Sequence, residues 1–298
     1  MTEIDSSTSV LGLIGDPVEG SLSPKLQNWA IDKLGLDYRY FAFPVKPNSV
    51  EPAIIGAREL GFRGLNVTVP YKKTAAEFSD SLSRSALVTG AVNTLTFTDK
   101  GEIEGDNTDW RGFLQSLKLH GFDPEGKECV VFGASGAGAG VVYGLVRRGA
   151  KKIVIVNRTE AKGAELARKL NGLSPGVDID ARPLSGSDIG QKVKRSELVI
   201  NATPVGMGKR EGKSVWSDES SFRADQLVFD LVYHPSPTKF LSLAEAAGSQ
   251  TLDGLDMLIL QGLESLKEWT GEAIDSGEVV GKLRRYLRDS GGRDEPTA

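Results

Sequence analysis

At 298 residues the chain sits at the upper limit of what one hydrophobic core organises, about 250 to 300 residues, so two domains are expected. Its 39% hydrophobic and 26% charged residues exclude a wholly disordered, collagen-like or coiled-coil protein. A formal charge of -4, with no basic run longer than two residues, argues against nucleic acid as a partner. One cysteine, Cys129, excludes an internal disulfide and points to a reducing, cytoplasmic setting; with two histidines, His120 and His234, too few soft ligands remain for a metal site.

In chain order, 1–9 reads as a flexible tail without a secretory leader. Val10 to Ile14 is the first strand, followed by a Gly/Pro/Ser loop and a helix from Pro24, with Ser23 as its N-cap. Tyr38 to Val45 reads as a strand, Val50 to Leu60 as a helix stopped by Gly61, and Gly64 to Val69 as a strand stopped by Pro70. Ala91 to Phe97 and Glu102 to Gly105 suit a β pair around Asp99-Lys100-Gly101, ahead of a helix from Trp110 to Leu119. From Gly126 the texture changes: Cys129 to Phe132, Lys152 to Val156, Glu197 to Ile200 and Gln226 to Leu231 are β-branched strands between helical segments, a second α/β unit. Lys209 to Ser221 reads as a polar surface loop. Helices from Met257 to Thr270 and Val279 to Arg288 follow, and 289–298 reads as a flexible tail. Cys129 to Val146 carries no charge over eighteen residues, but its five glycines make it a strand, turn and helix rather than a membrane span, so no membrane partner is expected.

The strand before Gly133-Ala134-Ser135-Gly136-Ala137-Gly138 and the apolar helix after it give the order that a dinucleotide site needs. Glycines let the backbone approach a pyrophosphate, and amides at the helix start hold the anion. Ser135 replaces the second glycine of G-x-G-x-x-G, with Gly136 adjacent. About twenty residues on, where an acid would accept from the ribose of NAD, the sequence has Asn157-Arg158-Thr159, with Lys162 one turn later. Arg158 and Lys162 suit a 2'-phosphate, so NADP is the expected cofactor, although exposed basic residues also suit a plain solvated helix start.

Four polar clusters precede that unit: Ser21-Leu-Ser23-Pro24, Asn66-Val-Thr68-Val-Pro-Tyr-Lys72, Ala91-Val-Asn93-Thr94 and Gly105-Asp-Asn-Thr-Asp109. With Asn201-Ala-Thr203-Pro204 and Asp253-Gly254-Leu-Asp-Met257 they resemble, in order and spacing, the shikimate dehydrogenase family, over about residues 10–288. The resemblance implies reversible, NADP-linked reduction of 3-dehydroshikimate to shikimate, within aromatic amino-acid and chorismate biosynthesis. It implies Lys72 and Asp109 as the acid/base pair, Asp109 either sharing the proton or orienting the substrate hydroxyl and holding Lys72. Ser21, Ser23 and Tyr233 would hold the substrate carboxylate, and Thr68, Asn93 and Gln261 the ring hydroxyls. Gly133 to Ala137, Asn157, Arg158, Thr159, Lys162, Thr203, Leu231, Gly254 and Met257 would contact NADP(H).

Gln27 stands where many members have His, and Trp110 where a Gly usually follows the Asn-Thr-Asp turn. Gln27 keeps a quinate or quinate/shikimate dehydrogenase as the alternative, an enzyme acting on an amino analogue of the substrate is another, and a non-catalytic metabolite sensor is a third from a different class. His120 and His234 read as structural or surface residues rather than catalytic ones, since nothing pairs with them to build a triad. The architecture implied is α/β in two domains: a substrate domain, 10–110 with 250–288, completed by C-terminal helices, and a Rossmann-type NADP-binding domain, 111–249, the active site in the cleft between. A homodimer is compatible with this, but no residue specifies one.

Overall fold

The structure, a computed structural model, describes residues 3–173 and 176–291. The described chain divides into two compact units, the first built from its residues up to Gly112 together with those from Leu258 on, and the second from those between Phe113 and Met257. The first contains β1 (Ser9–Gly15), α1 (Ser23–Leu34), β2 (Tyr38–Pro44), α2 (Val50–Glu59), β3 (Gly64–Val67), α3 (Lys72–Glu77), β4 (Ser81–Leu82), α4 (Arg84–Thr89), β5 (Thr94–Phe97), β6 (Ile103–Asp106) and the start of α5 (Asp109–Leu119). The second contains β7 (Glu128–Phe132), α6 (Gly136–Arg148), β8 (Lys152–Asn157), α7 (Glu160–Leu170), β9 (Asp178–Pro183), α8 (Ile189–Arg195), β10 (Leu198–Asn201), β11 (Leu227–Asp230), α9 (Lys239–Ala246) and β12 (Gln250–Leu252). The chain returns to the first unit within α10 (Leu255–Thr270) and ends in α11 (Ser276–Gly291).

The first sheet runs β2-β1-β3-β5-β6-β4, with β1 parallel to β2 and β3. The β5–β6 hairpin is antiparallel, as the Asp99-Lys100-Gly101 turn suggested, and β5 also pairs antiparallel with β3. Its apolar face closes over Ile14, Ile54, Leu65, Val67, Val92 and Leu95. Trp269 of α10 docks on this sheet: its Nε1 donates to the Leu95 carbonyl at 3.0 Å, and a Cβ on Gly64 would lie 2.1 Å from that nitrogen. α10 therefore packs on this sheet. The second sheet, β12-β11-β10-β7-β8-β9, is parallel throughout, the strand order of doubly wound dinucleotide-binding folds.

Several expectations are corrected. Ser23 is the first residue of α1 rather than its cap; Leu22 holds the cap position, and no side chain caps this helix. The second boundary falls after Met257, not after 249, because β12 pairs in parallel with β11 and belongs to the second sheet. The 209–221 stretch is the surface loop expected, exposed at 209–213 and 217–220, and it is anchored: two 3₁₀ turns, Gly208–Arg210 and Glu219–Ser221, flank Trp216, whose ring stacks on Phe132 at 5.9 Å and whose Nε1 donates to Ser221 Oγ at 2.7 Å. Ser9 belongs to β1 and Thr8 Oγ1 donates to Asp37 at 2.8 Å, so the first tail is shorter than expected. α11 extends to Gly291, whereas 1–2 and 292–298 lie outside the described residues. Cys129–Val146 is β7, a turn and part of α6, and among the described residues no helix is long and apolar enough to cross a membrane.

Candidate active site

In the first unit the carboxyl ends of β1 and β3, the turn after β6 and one face of α10 supply the expected polar groups. Lys72 opens α3, its backbone pinned by the Val92 amide, which donates to the Lys72 carbonyl at 2.8 Å. Its Nζ donates to Asp109 Oδ2 at 2.5 Å, and the two side chains are 14% and 6% exposed. Asn93 Nδ2 faces three acceptors, Asp109 Oδ1 at 2.8 Å, Thr108 Oγ1 at 2.9 Å and Gln261 Oε1 at 3.1 Å. The Asp109 amide donates to Asn107 Oδ1, which shapes the turn from inside. Lys72, Asp109, Asn93 and Gln261 are thus joined in one hydrogen-bonded array.

The other expected substrate contacts are placed less closely. The Ser23 amide donates to Ser21 Oγ at 3.3 Å, keeping the two serines together at the start of α1. The Thr68 amide donates to the Ile14 carbonyl, and a Cβ on Gly15 would meet Thr68 Cγ2 at 2.4 Å, so Thr68 lies against the end of β1. Tyr233 belongs to the second unit, in the segment after β11, whereas the other five belong to the first.

Under the array lies a layer that sequence reasoning missed. Ser265 Oγ meets Thr94 Oγ1 at 2.8 Å and Thr108 Oγ1 at 3.2 Å and accepts from Asn66 Nδ2 at 3.0 Å; Tyr40 donates its hydroxyl to Asn66 Oδ1 at 2.8 Å. Thr94, Thr108 and Ser265 are fully buried, and their hydroxyls satisfy one another away from water. The readable signal was Gln261 and Ser265, four residues apart on one apolar helix.

In the second unit the turn after β7 is built for close approach. Gly133 has φ 111°, and a Cβ there would lie 2.9 Å from the Ala202 carbonyl oxygen and 3.0 Å from Thr203 Cγ2. A Cβ on Gly138 would lie 2.5 Å from the Gly133 carbonyl oxygen. Ser135 holds the cap position of α6 without a side-chain hydrogen bond, and the first turn carries no acid, so neither a cap nor a carboxylate of that turn competes with an anion for its amides. Beyond β8, Asn157 Nδ2 donates to the Thr159 carbonyl, while Arg158 and Lys162 are exposed, with no ion pair among the described residues. Gly254 packs against Leu231, where a Cβ would lie 2.0 Å from the Leu231 carbonyl oxygen, and Met257 is buried. These residues fit a dinucleotide with a 2'-phosphate. Asp230, at the end of β11, accepts from Asn201 Nδ2 at 2.8 Å, Thr238 Oγ1 at 2.6 Å and the Val232 amide at 3.0 Å; Asn201 Oδ1 in turn accepts from the Thr203 hydroxyl at 2.7 Å.

A family model for the shikimate dehydrogenase substrate binding domain matches residues 13–95, and one for shikimate / quinate 5-dehydrogenase matches residues 116–230. The chain belongs to the shikimate dehydrogenase family. Shikimate dehydrogenase (NADP(+)) of Methanopyrus kandleri is 44% identical over 270 residues, 90% of this chain and 92% of that protein. Shikimate 5-dehydrogenase of Listeria monocytogenes, solved with shikimate and NAD, is 33% identical with a TM-score of 0.87 over 95% of this chain and 99% of the other. Shikimate 5-dehydrogenase of Thermus thermophilus, solved with NADP(H) and shikimate, is 32% identical with a TM-score of 0.82 over 93% and 99%. The chain thus has the two-part α/β organisation of this oxidoreductase family along nearly its full length.

Within that family frame the histidines stay outside the array. His120 Nε2 lies 2.9 Å from Asp256 Oδ2, a contact inside the second unit that joins the end of α5 to the start of α10.

Proposed function

We propose that this chain is an NADP-dependent shikimate dehydrogenase, catalysing the reversible reduction of 3-dehydroshikimate to shikimate in the cytoplasm, with a small molecule rather than nucleic acid as its partner. The observation that carries the reading is the Lys72–Asp109 pair at 2.5 Å, braced by Asn93 and Gln261. Reduction of a ring ketone builds negative charge on its oxygen, and a positioned ammonium answers that charge and supplies the proton. Lys72 does both: Asp109 engages the ammonium, and no other described residue does, so its remaining N–H groups are open to a substrate oxygen. In the oxidative direction the neutral amine takes the proton back from the hydroxyl.

Asp109 accepts from Lys72 with Oδ2 and from Asn93 with Oδ1, so in this reading it orients the lysine and the neighbouring hydroxyl. Ser21, Ser23 and Tyr233 offer hydroxyl donors to the carboxylate, and Thr68, Asn93 and Gln261 offer polar atoms to the ring hydroxyls. The first-turn amides of α6 would hold the pyrophosphate and Arg158 with Lys162 the 2'-phosphate, with Thr203, Leu231, Gly254 and Met257 beside the cofactor. NADP supplies the hydride chemistry when bound.

The test is absorbance at the reduced-nicotinamide band for purified protein with shikimate or quinate and NADP or NAD, in all four pairings, alongside K72A. Turnover with shikimate and NADP, lowered about 10²- to 10⁴-fold in K72A as for removal of a general acid/base, is the expected result. A preference for quinate or NAD overturns the specificity assignment, and silence in all four pairings with NADP still bound overturns the enzyme reading in favour of a sensor.

A further inference from the structure

Trp110 and Arg111 follow the Asn107–Asp109 turn and have no part in the mechanism above. The Arg111 guanidinium lies among three carboxyl groups. Its Nη2 donates to Asp106, at the end of β6, and to Glu268 of α10, and its Nε lies 3.2 Å from Glu264 of α10. These four side chains are between 15% and 26% exposed, so water screens them only weakly. The Arg111 Cζ stands 5.5 Å from the centroid of the Trp110 ring, which gives the unusual tryptophan a task as a platform beside the cation. Ser83 and Ser85 hydroxyls also donate to Asp106 Oδ1. Burial first, and the neighbouring Asp106 carboxyl second, push the Glu268 carboxyl up to about 8, while Arg111 pulls the other way. Burial opposes the Asp106 charge, but hydrogen bonds from Glu268 and Ser83 and the charge of Arg111 hold its carboxyl below the usual range.

Resting on the functional reading above, we propose that Arg111 is a positioning residue for Asp109, tying the turn that carries the aspartate to the helix that carries Gln261. Asp106 opens that turn, while Glu264 and Glu268 lie about one and two helical turns beyond Gln261. The guanidinium reaches both elements at once, which a lysine ammonium cannot do with the same fork geometry. Release of the clamp lets turn and helix slip against each other, and the Asp109–Asn93–Gln261 contacts with them.

The intact chain, R111A, R111K and E264Q are compared by steady-state kinetics, varying shikimate at saturating NADP and NADP at saturating shikimate, with thermal melts to show that each variant is folded. In R111A the shikimate KM rises, kcat falls and kcat/KM for shikimate drops about 10²-fold, the scale of an ångström misplacement of reacting groups. The KM for NADP stays at the wild-type value, because the cofactor contacts belong to the other unit. R111K recovers part of the loss, and E264Q, which keeps its shape, shifts the shikimate KM in the same direction by less. R63A, which removes an exposed pair with Asp99, serves as the control and leaves both KM values unchanged. Wild-type shikimate kinetics in R111A and E264Q, or a loss of kcat with both KM values unchanged, overturns the positioning role alone. A wild-type chain silent with shikimate overturns the functional reading and this role together.

Discussion

Both oxygens of Asp109 are engaged, Oδ2 by Lys72 and Oδ1 by Asn93, and the aspartate is 6% exposed, so its orientation follows from its partners rather than from water. Asp230 is a second aspartate held by its partners. It too is buried and accepts three hydrogen bonds, each of which favours its ionised form, but burial dominates and pushes its carboxyl up to about 7. A carboxyl raised above its unfolded value of about 3.9 adds stability that is complete below that value and is lost as pH rises through the folded value. D230N, which can neither gain nor lose that proton, isolates the effect. The melting temperature of the wild type relative to D230N falls between about pH 4 and pH 7 and levels off above. A difference that stays flat across that window means that the three hydrogen bonds overcome burial and Asp230 is ionised in the folded protein.

At the scale of elements, the contact between the β7 turn and α6 depends on a missing side chain. A methyl on Gly138 would lie 2.5 Å from the Gly133 carbonyl oxygen, part of a backbone already fixed by its position against Ala202. G138A should lower unfolding stability in urea by about 1 to 3 kcal/mol, the usual cost of overpacking, and weaken NADP binding as the first turn of α6 shifts. Gly163 of α7 is the matched contrast: its added methyl would meet Ala181 Cβ and Ile155 Cγ2 at 3.5 Å, ordinary contact distances. G163A should therefore be neutral or stabilising by up to ~1 kcal/mol through helix propensity. Equal losses in both variants would show that helix backbone, not the approach of the turn, sets the effect. The glycines before α6 were legible in the sequence because strand, turn and helix each carry a local signal. The β-branched strands and the Asp99-Lys100-Gly101 hairpin were legible for the same reason. The segment after Lys72 was not: α3, β4 and α4 span two to six residues each, too short for any periodicity to emerge. Ser23 misled because a serine before proline reads as a cap, although the helix starts one residue earlier with Leu22 at the cap. The Lys72–Asp109–Asn93 array could be anticipated from the motifs, but its buried support by Ser265, Thr94 and Thr108, and the Arg111 clamp, join residues more than 150 positions apart. No local pattern records that pairing.

At the scale of the molecule, the two units differ in how the chain builds them. The second is continuous, residues 113–257, with a complete six-stranded parallel sheet and its own core around Val130, Val154, Val199 and Val228. The first is assembled from both ends of the chain and is finished by groups from α10: Trp269 over Gly64, the Ser265 hydroxyl in the polar layer, Gln261 beside Asn93, and the Gly262 backbone carbonyl, which accepts from Gln27 Nε2 of α1 at 2.8 Å. A chain ending after Met257 therefore damages the units unequally. It keeps every residue expected to contact NADP, and it removes the helix that fills the first core and satisfies its buried Asn66, Thr94 and Thr108. Calorimetric titration of this truncated chain should show NADP binding close to that of the full chain and shikimate binding lost, with a thermal melt in which NADP raises the midpoint of the surviving unit. Shikimate binding at full-chain affinity would remove α10 from the substrate site, Gln261 with it. Loss of NADP binding would mean instead that residues 113–257 depend on the C-terminal helices to hold their fold, despite a core of their own.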